Sequence, residues 1–396
     1  MAKTTTLILG GGFGGIAAAN TLRGLLPHEH EIVVIDATEH HCVGAGHTWI
    51  ALGERTRADV SRSRADLLAR GVRFVRSRLE KIDVAARSVT AGGATLPWDK
   101  LVIALGAAMD PAGIPGLSSA ETFYTLEGAE RLRKALEEFG GGDVVLLIPR
   151  TPFKCPPAPY EMAILLQELF RRRGIGDGVR LSVRTVEGAP MTTAGPEMGK
   201  YIVGELASRG IAFHPQQKTS RVDPVARRIH FEDGSEAAYD LLIAVPPHTA
   251  PAVVREAGLL DASGWIPVDA RTLEPKAVAS TAAAGHVYAI GDVTQVPLPG
   301  RYKPEMVLSL PKAGVFAEAH GEIVGRRIAA QLLGRSPADV FDGEGFCYLE
   351  LGGGVAVRSA ASFFATPHPS VQKREPDAAQ LRDKRDWVAA HLRPPA

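Results

Sequence analysis

A glycine-rich turn near the start of the chain limits the folds that the sequence can adopt. An apolar run, Leu7 to Leu9, leads into the spacing G-x-G-x-x-G, which is formed by Gly10, Gly12 and Gly15. A pattern typical of a helix follows from Ile16 to Leu25, and the next apolar run ends at Asp36. In a strand, turn, helix, strand unit, such glycines let backbone N–H groups approach a pyrophosphate, and an acid about 20 residues later accepts hydrogen bonds from a ribose. The sequence therefore predicts a dinucleotide-binding unit here.

Two later apolar runs end in small residues and indicate which dinucleotide is bound. One spans Leu101 to Gly106 and the other spans His286 to Asp292. Both resemble strands of flavoproteins with two dinucleotide-binding domains, in which the aspartate at the strand end bonds the ribityl chain of FAD. The resemblance implies FAD as the cofactor, with contacts from Ala104, Gly106, Gly291 and Asp292.

The segments 71–104 and 210–244 repeat one pattern. Each contains a turn of the form D-x-x-A-R and ends in an apolar strand that follows an aromatic residue and an aspartate. Two copies of one nucleotide-domain plan predict an α/β fold with two Rossmann-like dinucleotide-binding domains, the second inserted in the first, and a C-terminal α+β segment. We place the FAD-binding domain at 1–110 and 266–335, the second Rossmann-like domain at 111–265, and the C-terminal segment at 336–396.

The second copy lacks a glycine loop where a second nucleotide would bind. The segment 149–161 joins a predicted buried strand, Val144 to Ile148, to a predicted helix, Met162 to Arg172, and it is rich in proline. Proline removes backbone N–H donors and flexibility, so the loop is unsuited to hold the pyrophosphate of NAD(P)H. We interpret Cys155 in this loop as a thiol that takes the electrons a nicotinamide would have brought.

Cys155 has two neighbours that favour its thiolate. Lys154 precedes it in the chain, and the predicted helix begins a few residues later. A cation and a helix N-terminus both stabilise a negative charge, so we expect the pKa of Cys155 to be lowered.

Four segments resemble sulfide:quinone oxidoreductases and the flavoprotein subunit of flavocytochrome c sulfide dehydrogenase: Lys154 to Glu161, Pro246-Pro247, Trp265 to Asp269, and Gly345 to Tyr348. The similarity covers nearly the whole chain and implies that Cys155 and Cys347 form a redox-active disulfide beside the flavin. Hydrosulfide would attack this disulfide and leave a persulfide and a thiolate. We assign Cys155 as the thiolate next to the flavin and Cys347 as the cysteine that carries sulfane sulfur.

Three further residues are predicted to act beside the flavin. Glu161 lies at the start of the predicted helix and is expected to shuttle protons if burial raises its pKa; a helix-start acid without a catalytic role is the alternative. A helix predicted from Val315 to Leu333 would direct N–H groups from its start, at Gly314, towards the pyrimidine end of the flavin. Lys312 either pairs with the reduced flavin or is solvated.

Cys42 follows the acidic strand end and is one of only three cysteines in the chain. Its position resembles that of the cysteine that bonds FAD covalently in flavocytochrome c sulfide dehydrogenase, whereas the residues after it resemble the quinone reductases, so covalent attachment and a free thiol stay open. Tyr124 stands near the place of a further cysteine that many quinone reductases carry. No metal site is expected at His40, His41 and His47, because no acidic or cysteine partners have ligand spacing.

Residues near the C-terminus are candidates for the electron outlet. Tyr348, Phe363 and Phe364 offer aromatic surface for a quinone ring, with core packing as the alternative. The segment 377–392 has apolar residues at helical spacing beside basic ones. This pattern suits an interfacial helix on a membrane, and packing on the protein's own core or on a second copy of the chain is the alternative. Peripheral membrane contact and a homo-oligomer are therefore both open.

Charge and hydropathy exclude several classes of function. The net charge is +1, from 45 basic and 44 acidic residues, so no overall field attracts nucleic acid. The chain has no run of about 18 apolar residues, which argues against a transmembrane helix, and the first strand begins too early for a signal peptide. We expect a bacterial protein at the periphery of a membrane, with the side of the membrane open.

The function expected from these observations is FAD-dependent oxidation of sulfide through a Cys155–Cys347 disulfide, with sulfane sulfur or polysulfide as product and a membrane quinone as electron acceptor. The first alternative passes the electrons to a cytochrome c subunit. A second alternative is a flavin-linked redox sensor or interaction protein that does not turn over sulfide. An NADH dehydrogenase is disfavoured because the second glycine loop is missing.

Overall fold

The computed structural model describes residues 4–395. The α-helices are α1 (Phe13–Leu25), α2 (His47–Ala51), α3 (Arg57–Val60), α4 (Arg64–Leu67), α5 (Leu126–Glu138), α6 (Ala158–Arg172), α7 (Pro196–Ala207), α8 (Ala252–Glu256), α9 (Gly314–Leu332) and α10 (Ala378–Ala390). The strands are β1 (Thr5–Leu9), β2 (Glu31–Asp36), β3 (His40–Cys42), β4 (Ser61–Ser63), β5 (Val72–Arg76), β6 (Leu79–Asp83), β7 (Ser88–Ala91), β8 (Ala94–Pro97), β9 (Lys100–Ile103), β10 (Ala108–Met109), β11 (Gly142–Ile148), β12 (Val179–Thr185), β13 (Ala212–His214), β14 (Thr219–Asp223), β15 (Arg228–Phe231), β16 (Glu236–Ala238), β17 (Leu241–Ala244), β18 (His248–Thr249), β19 (Ile266–Pro267), β20 (Val287–Ala289), β21 (Thr294–Gln295), β22 (Glu344–Gly352), β23 (Val355–Ser362) and β24 (Ser370–Lys373).

The first parallel sheet has five strands in the order β20-β9-β1-β2-β5. β1 lies at its centre and pairs in parallel with β2 and β9, and Leu7, Ile8 and Leu9 are at most 1% exposed. α1 packs against α9, where Gly321 approaches so closely that a Cβ would lie 2.2 Å from the carbonyl oxygen of Gly14. The predicted strand, turn, helix, strand unit is therefore confirmed.

A second parallel sheet has four strands in the order β13-β12-β11-β17. Its inner strand β11 carries Val144 to Ile148, which are at most 2% exposed. A strand that is buried on both faces is apolar without alternation, which is why the sequence predicts this one. The loop with Cys155 leaves the carboxyl end of β11.

Each parallel sheet is accompanied by a small antiparallel sheet, β6-β7-β8 in the first half of the chain and β14-β15-β16 in the second. The pairing register shifts between residues 79 and 81 in one and between residues 219 and 221 in the other. The turn that follows has a left-handed arginine in both, Arg87 with φ 49° and Arg227 with φ 53°. The repeated pattern of the sequence therefore corresponds to a repeated structure, and the α/β fold class is confirmed.

Two helices begin earlier than their patterns predict. α1 begins at Phe13 rather than at Ile16, and α6 begins at Ala158 rather than at Met162. The prolines of the Cys155 loop do not prevent an early start, since the first N–H groups of a helix have no acceptor within the helix and proline fits there. Cys155 consequently lies directly ahead of α6.

The C-terminal segment forms an antiparallel sheet, β22-β23-β24, and α10 packs against β23. Leu381, Lys384 and Val388 of α10 are at most 5% exposed. The protein's own core covers these residues of α10, as the core-packing alternative expects, and a contact of this segment with a membrane stays a prediction. Among residues 4–395, no helix combines the length and the apolar character needed to span a bilayer.

Candidate active site

A cavity of about 520 Å³ lies where the two parallel sheets present the carboxyl ends of their strands. Its walls come from the loops after β1, β9, β11 and β20, from the start of α9, and from β22 and α10. Loops at this edge of open α/β sheets form the usual crevice for ligands. The predicted site residues that line the cavity are Gly12, Cys42, Ala104, Gly106, Cys155, Glu161, Gly291, Asp292, Gly314 and Cys347.

The glycine turn places the start of α1 in the cavity wall. No side chain among residues 4–395 caps α1, which leaves the start of this helix open to a ligand, and a Cβ at Gly12 would meet no atom within 4 Å. Gly10 has a φ of 100°, and a Cβ at Gly15 would lie 1.9 Å from the carbonyl oxygen of Gly10. Gly10 and Gly15 thus shape the turn without lining the cavity, whereas Gly12 leaves room for an anionic group such as a phosphate.

Asp36 holds the turn and does not line the cavity. Its Oδ2 accepts a hydrogen bond of 2.8 Å from the N–H of Gly11 and lies 3.4 Å from the Arg64 guanidinium. Arg64 is buried, lines the cavity and donates a hydrogen bond of 2.8 Å to the carbonyl of Gly11. Sequence reasoning missed Arg64, because its link to the turn forms only in the folded chain. The contact of Asp36 with a ribose stays a prediction.

Asp292 supplies a buried acceptor to the cavity. Its Oδ1 has no hydrogen-bond partner among residues 4–395. Burial raises the pKa of Asp292, an effect that Lys312 and Lys154 oppose. α9 begins nearby at Gly314, again without a side-chain cap. A buried acceptor suits a hydroxyl of a ribityl chain, and a free helix start suits a ring that gains negative charge on reduction, so these groups fit FAD.

Lys312 lies outside the wall of the large cavity. Its Nζ donates hydrogen bonds of 2.6 and 3.1 Å to the carbonyls of Asp292 and Thr294 and lies 3.4 Å from the centroid of the Trp265 ring. Lys312 is only 7% exposed, so the expectation of a solvated lysine is wrong. Burial lowers its pKa to about 8, with Asp292 opposing the shift. A contact between Lys312 and the reduced flavin stays a prediction.

All three cysteines line the cavity as free thiols. Cys155 has a left-handed φ of 55°, and its N–H donates a hydrogen bond of 2.8 Å to the carbonyl of Lys312. Cys347 lies on β22, and burial, followed by the charge of a Cys155 thiolate, raises its pKa to about 12. Folding therefore brings Cys155 and Cys347 into one cavity, and a disulfide between them stays a prediction.

The pKa of Cys155 is raised to about 11, because burial disfavours its thiolate and the Glu161 carboxylate adds to the effect. The prediction of a lowered pKa is therefore wrong for the free thiol. Lys154, the adjacent cation, is itself enclosed, and burial lowers its pKa. The cation that most lowers the pKa of Cys155 is Lys384 of α10. The loss of water around Cys155 outweighs the charge of Lys384 and the hydrogen bond from the Ala158 N–H, which both favour the thiolate.

Glu161 belongs to a buried cluster of charges. Nζ of Lys384 lies 2.7 Å from Oε1 of Glu161 and 2.7 Å from Oε1 of Glu350. Oε2 of Glu161 accepts a hydrogen bond of 2.8 Å from the Glu350 N–H, and the indole N–H of Trp49 donates one of 2.7 Å to Oε1 of Glu350. Burial raises the pKa of Glu161 and Lys384 opposes this, so the condition for a proton shuttle is met, and the shuttle itself stays a prediction. A carboxylate with a raised pKa in the cavity wall is suited to accept a proton.

Cys42 is paired with a histidine. Its sulfur lies 3.0 Å from Nε2 of His47, and Nδ1 of His47 lies 3.1 Å from the carbonyl oxygen of Phe123. Burial, with Lys154, lowers the pKa of His47 to about 4, so the ring is neutral near pH 7. A carbonyl can only accept, so we assign the ring proton to Nδ1, and Nε2 then accepts a hydrogen bond from the Cys42 thiol. Burial raises the pKa of Cys42 to about 12.

Aromatic rings form part of the cavity wall. Tyr348 and Phe363 line it, whereas Phe364 packs edge-on against Phe341 with ring centroids 5.4 Å apart. Trp387 of α10 also lines the cavity and stacks on Phe13 with ring centroids 5.4 Å apart. From the sequence, Trp387 could be assigned only to the segment 377–392, because neighbouring residues do not show where α10 packs.

Known proteins share this fold along nearly the whole chain. Residues 4–313 match the family model described as Pyridine nucleotide-disulphide oxidoreductase. The chain is similar to the mitochondrial sulfide:quinone oxidoreductase of Mus musculus, with 24% identity over 375 residues that cover 91% of this chain and 78% of the relative. It is also similar to the sulfide-quinone reductase of Aquifex aeolicus, with 24% identity over 373 residues that cover 91% of this chain and 83% of the relative. A solved structure of the sulfide:quinone oxidoreductase from Aquifex aeolicus has a TM-score of 0.84 and 22% identity and covers 98% of this chain and 90% of that one.

Proposed function

Because the chain belongs to the pyridine nucleotide-disulphide oxidoreductase family, we propose that it is a flavoenzyme that oxidises sulfide and passes the electrons to a quinone. The observation that carries this proposal is that Cys155 and Cys347 share one cavity with two uncapped helix starts. The names of the two relatives, which join sulfide to a quinone, support it.

The sulfur chemistry is proposed to proceed through a Cys155–Cys347 disulfide. Hydrosulfide attacks the sulfur of Cys347, the S–S bond breaks, and its electron pair stays on Cys155 as a thiolate while Cys347 holds a persulfide. A second hydrosulfide removes the sulfane sulfur as HSS⁻. The Cys155 thiolate and the Cys347 thiol then return to the disulfide as two electrons and one proton depart. The product is sulfane sulfur in the form of polysulfide.

Glu161 is the proposed acceptor of the proton that departs. Its carboxylate lines the cavity, and its charge raises the pKa of both Cys155 and Cys347, so the three groups lie within each other's electrostatic field. A buried carboxylate that is bonded to Lys384 can take up a proton and pass it on without leaving its place.

FAD is the proposed cofactor, and it supplies the two-electron acceptor for the thiol pair. The start of α1 at Gly12 would hold the pyrophosphate, Asp292 a ribityl hydroxyl, and the start of α9 at Gly314 the pyrimidine ring. The other residues proposed to shape this site are Gly10, Gly15, Asp36, Ala104, Gly106, Gly291 and Lys312.

A covalent bond between Cys42 and FAD is a finer proposal. It is supported by the thiol and imidazole pair, in which Nε2 of His47 is placed to take the proton of Cys42. Mass spectrometry of the denatured, non-reduced chain tests it. An added mass of FAD on the Cys42 peptide supports the bond, and an unmodified Cys42 in a flavin-loaded preparation excludes it. The same spectrum reports whether Cys155 and Cys347 are linked.

The electron acceptor is proposed to be a membrane quinone, with Tyr348 and Phe363 as ring surfaces in the cavity wall. The protein would then work at the periphery of a bacterial membrane. A cytochrome c subunit is the second candidate acceptor, because the position of Cys42 resembles that of the flavin-bonding cysteine of flavocytochrome c sulfide dehydrogenase.

Anaerobic mixing experiments test both halves of the reaction. Sulfide is expected to bleach the flavin, and a short-chain ubiquinone added afterwards should restore its absorbance. Reoxidation by cytochrome c alone would favour the second acceptor, and a flavin that sulfide does not reduce would refute sulfide oxidation. NADH, as a control, should leave the flavin oxidised.

A further inference from the structure

Lys384 connects the two elements that carry the proposed redox cysteines. Glu161 lies on α6, directly after the loop with Cys155, and Glu350 lies on β22, the strand with Cys347. Nζ of Lys384 lies 2.7 Å from each carboxylate, and the side chain is 4% exposed. One lysine of α10 therefore ties together two segments that are far apart in the sequence.

The cluster around Lys384 is almost fully buried at the cavity wall and holds two carboxylates and one ammonium. Glu161 and Glu350 are each 4% exposed. The Glu350 N–H and the Trp49 indole donate the other hydrogen bonds to these carboxylates, and Nζ lies 5.2 Å from the Trp49 ring centroid. A buried charge is costly unless it is paired, so removal of Lys384 would leave two like charges facing each other.

Lys384 also acts on Cys155 through its charge. It opposes the burial and the Glu161 charge that raise the pKa of Cys155. The titratable and charged groups that face Cys155 from the surrounding elements are Glu161, Lys384, Asp292, Lys154, Tyr124 and Cys347. Glu54 faces Glu350 from the segment after α2. Within this set, Lys384 alone is bonded to the acids of both cysteine-bearing elements.

Building on the proposed function, we propose that Lys384 is a positioning residue that holds together the two elements carrying Cys155 and Cys347 and supplies the positive charge that offsets a Cys155 thiolate. When hydrosulfide attacks Cys347, the electron pair of the broken S–S bond stays on Cys155, and the negative charge arises within the field of Lys384. Glu161 and Glu350 fix the cation before that step, so it does not have to move during it.

The electrostatic role is tested on thiol reactivity. The full chain with FAD carries Cys42→Ser and Cys347→Ser, so that Cys155 is the remaining cysteine, and its alkylation by iodoacetamide is followed against pH by intact mass. Lys384→Met is expected to raise the pH at which alkylation of Cys155 is half-maximal, the midpoint, by about 1 pH unit or more, because a nearby opposite charge is lost. Glu161→Gln is expected to lower it. The variant with both Lys384→Met and Glu161→Gln should have a midpoint close to that of the parent, because two charges with opposing effects are removed together.

Arg385→Met is the matched control for this measurement. Arg385 is exposed and lies beside Lys384 on the same helix, so its removal should leave the midpoint unchanged. A midpoint that does not move in Lys384→Met, or a double variant that behaves like Lys384→Met, would overturn the electrostatic role, because a merely structural lysine gives no such compensation.

The positioning role is tested on the disulfide itself, in a Cys42→Ser chain equilibrated with reduced and oxidised glutathione. Lys384→Met is expected to lower the equilibrium constant for the Cys155–Cys347 bond by about 10-fold or more, the size of a coupling between contacting groups. Glu350→Gln keeps the size of the side chain and loses one ion pair, so it should lower this equilibrium constant by a smaller factor. Its melting temperature and FAD content should equal those of the parent. Equal constants in all three chains would overturn the positioning role.

Neither measurement uses sulfide, so each gives a result for Lys384 whether or not sulfide is a substrate. A parent protein whose flavin is not reduced by sulfide would refute the proposed function and would leave the alkylation midpoints and the glutathione equilibria to decide the role of Lys384.

Discussion

The amide N–H of Cys155 donates a hydrogen bond of 2.8 Å to the carbonyl oxygen of Lys312. This bond joins the loop of the proposed redox cysteine to the segment that leads into α9, whose start faces the cavity. The side chain of Lys312 in turn bonds the carbonyl of Asp292 at 2.6 Å. The loop with Cys155, the start of α9 and the segment of Asp292 are therefore parts of one hydrogen-bonded unit.

Cys155 and Cys347 are expected to be required for reduction by sulfide but not for binding of FAD. Cys155→Ser or Cys347→Ser removes one sulfur of the proposed disulfide, so sulfide should leave the flavin absorbance unchanged in anaerobic stopped-flow measurements. Cys42→Ser is the matched control and should still be reduced. Reduction of Cys155→Ser at the rate of the parent would contradict the role of the disulfide.

Gly12→Ala is expected to weaken FAD binding while the fold is kept. The new Cβ meets no atom within 4 Å, and alanine readily adopts the φ of −85° found at Gly12. The methyl group would occupy the space beside the first N–H groups of α1. In a Cys42→Ser background, the Kd for FAD should rise about 10-fold or more, as expected when hydrogen bonds to a charged group are lost.

Gly24→Ala is the control for this substitution. Gly24 is exposed in the same helix, and a Cβ there also meets nothing within 4 Å. Alanine should stabilise the helix by up to about 1 kcal/mol in urea unfolding and leave the Kd for FAD unchanged. Normal FAD binding by Gly12→Ala would show that the phosphates lie elsewhere.

Asp292→Ala is expected to reduce FAD affinity more than Asp292→Asn. Oδ1 of Asp292 is a buried acceptor without a donor among residues 4–395. A hydrogen bond to a charged group contributes about 1.5–3 kcal/mol, so loss of the acceptor should raise the Kd for FAD by about 10-fold to 100-fold. The amide oxygen of asparagine still accepts, so fluorescence titration should give an intermediate value. Equal affinities of the two variants would contradict a hydrogen bond at this atom.

The docking of α10 is expected to weaken as the pH rises. His391 follows α10, and its Nε2 lies 2.9 Å from Glu318 of α9. Burial alone would lower the pKa of His391, but hydrogen bonds to Glu318 and to the Trp387 carbonyl raise it above the usual 6.5. A raised histidine pKa means that the ion pair stabilises the fold below about pH 6.5 and that this stability is lost as pH rises through the folded-state pKa.

His391→Gln should accordingly lower the free energy of unfolding by about 0.5–1 kcal/mol at pH 5.5, the range for partly exposed pairs, and by less at pH 9. Urea unfolding at both values measures the difference. His28→Gln, at an exposed position, is the matched control substitution. A His391→Gln effect that is the same at both pH values would contradict the ion pair.

The parts of the molecule that the sequence predicts well are those that neighbouring residues determine. The glycine turn and the buried run of β11 carry their own signals, turn chemistry and unbroken apolar character. Gly12, Asp292 and Cys155 could be assigned to one crevice because each follows the carboxyl end of a parallel strand, and such ends share one edge of a sheet.

The groups that sequence reasoning missed reach the cavity from distant parts of the chain. Arg64 and Trp387 take their places only through contacts of the folded protein. Lys384 left one usable signal, because it interrupts the apolar face of α10 between Leu381 and Val388. The prediction of a lowered pKa for Cys155 is wrong for the same reason. The sequence shows the adjacent Lys154, but it does not show that folding removes water from around the thiol.

The register shift at the same step of both small antiparallel sheets makes the two halves of the chain alike in detail. Each shift is followed by a left-handed arginine, Arg87 or Arg227. Because the halves share this geometry, the loops after β1 and β11 occupy equivalent places, each at the carboxyl end of an inner parallel strand. One loop carries glycines and the other carries prolines and Cys155. The same corner of one architecture therefore offers backbone N–H groups in one half and a thiol in the other.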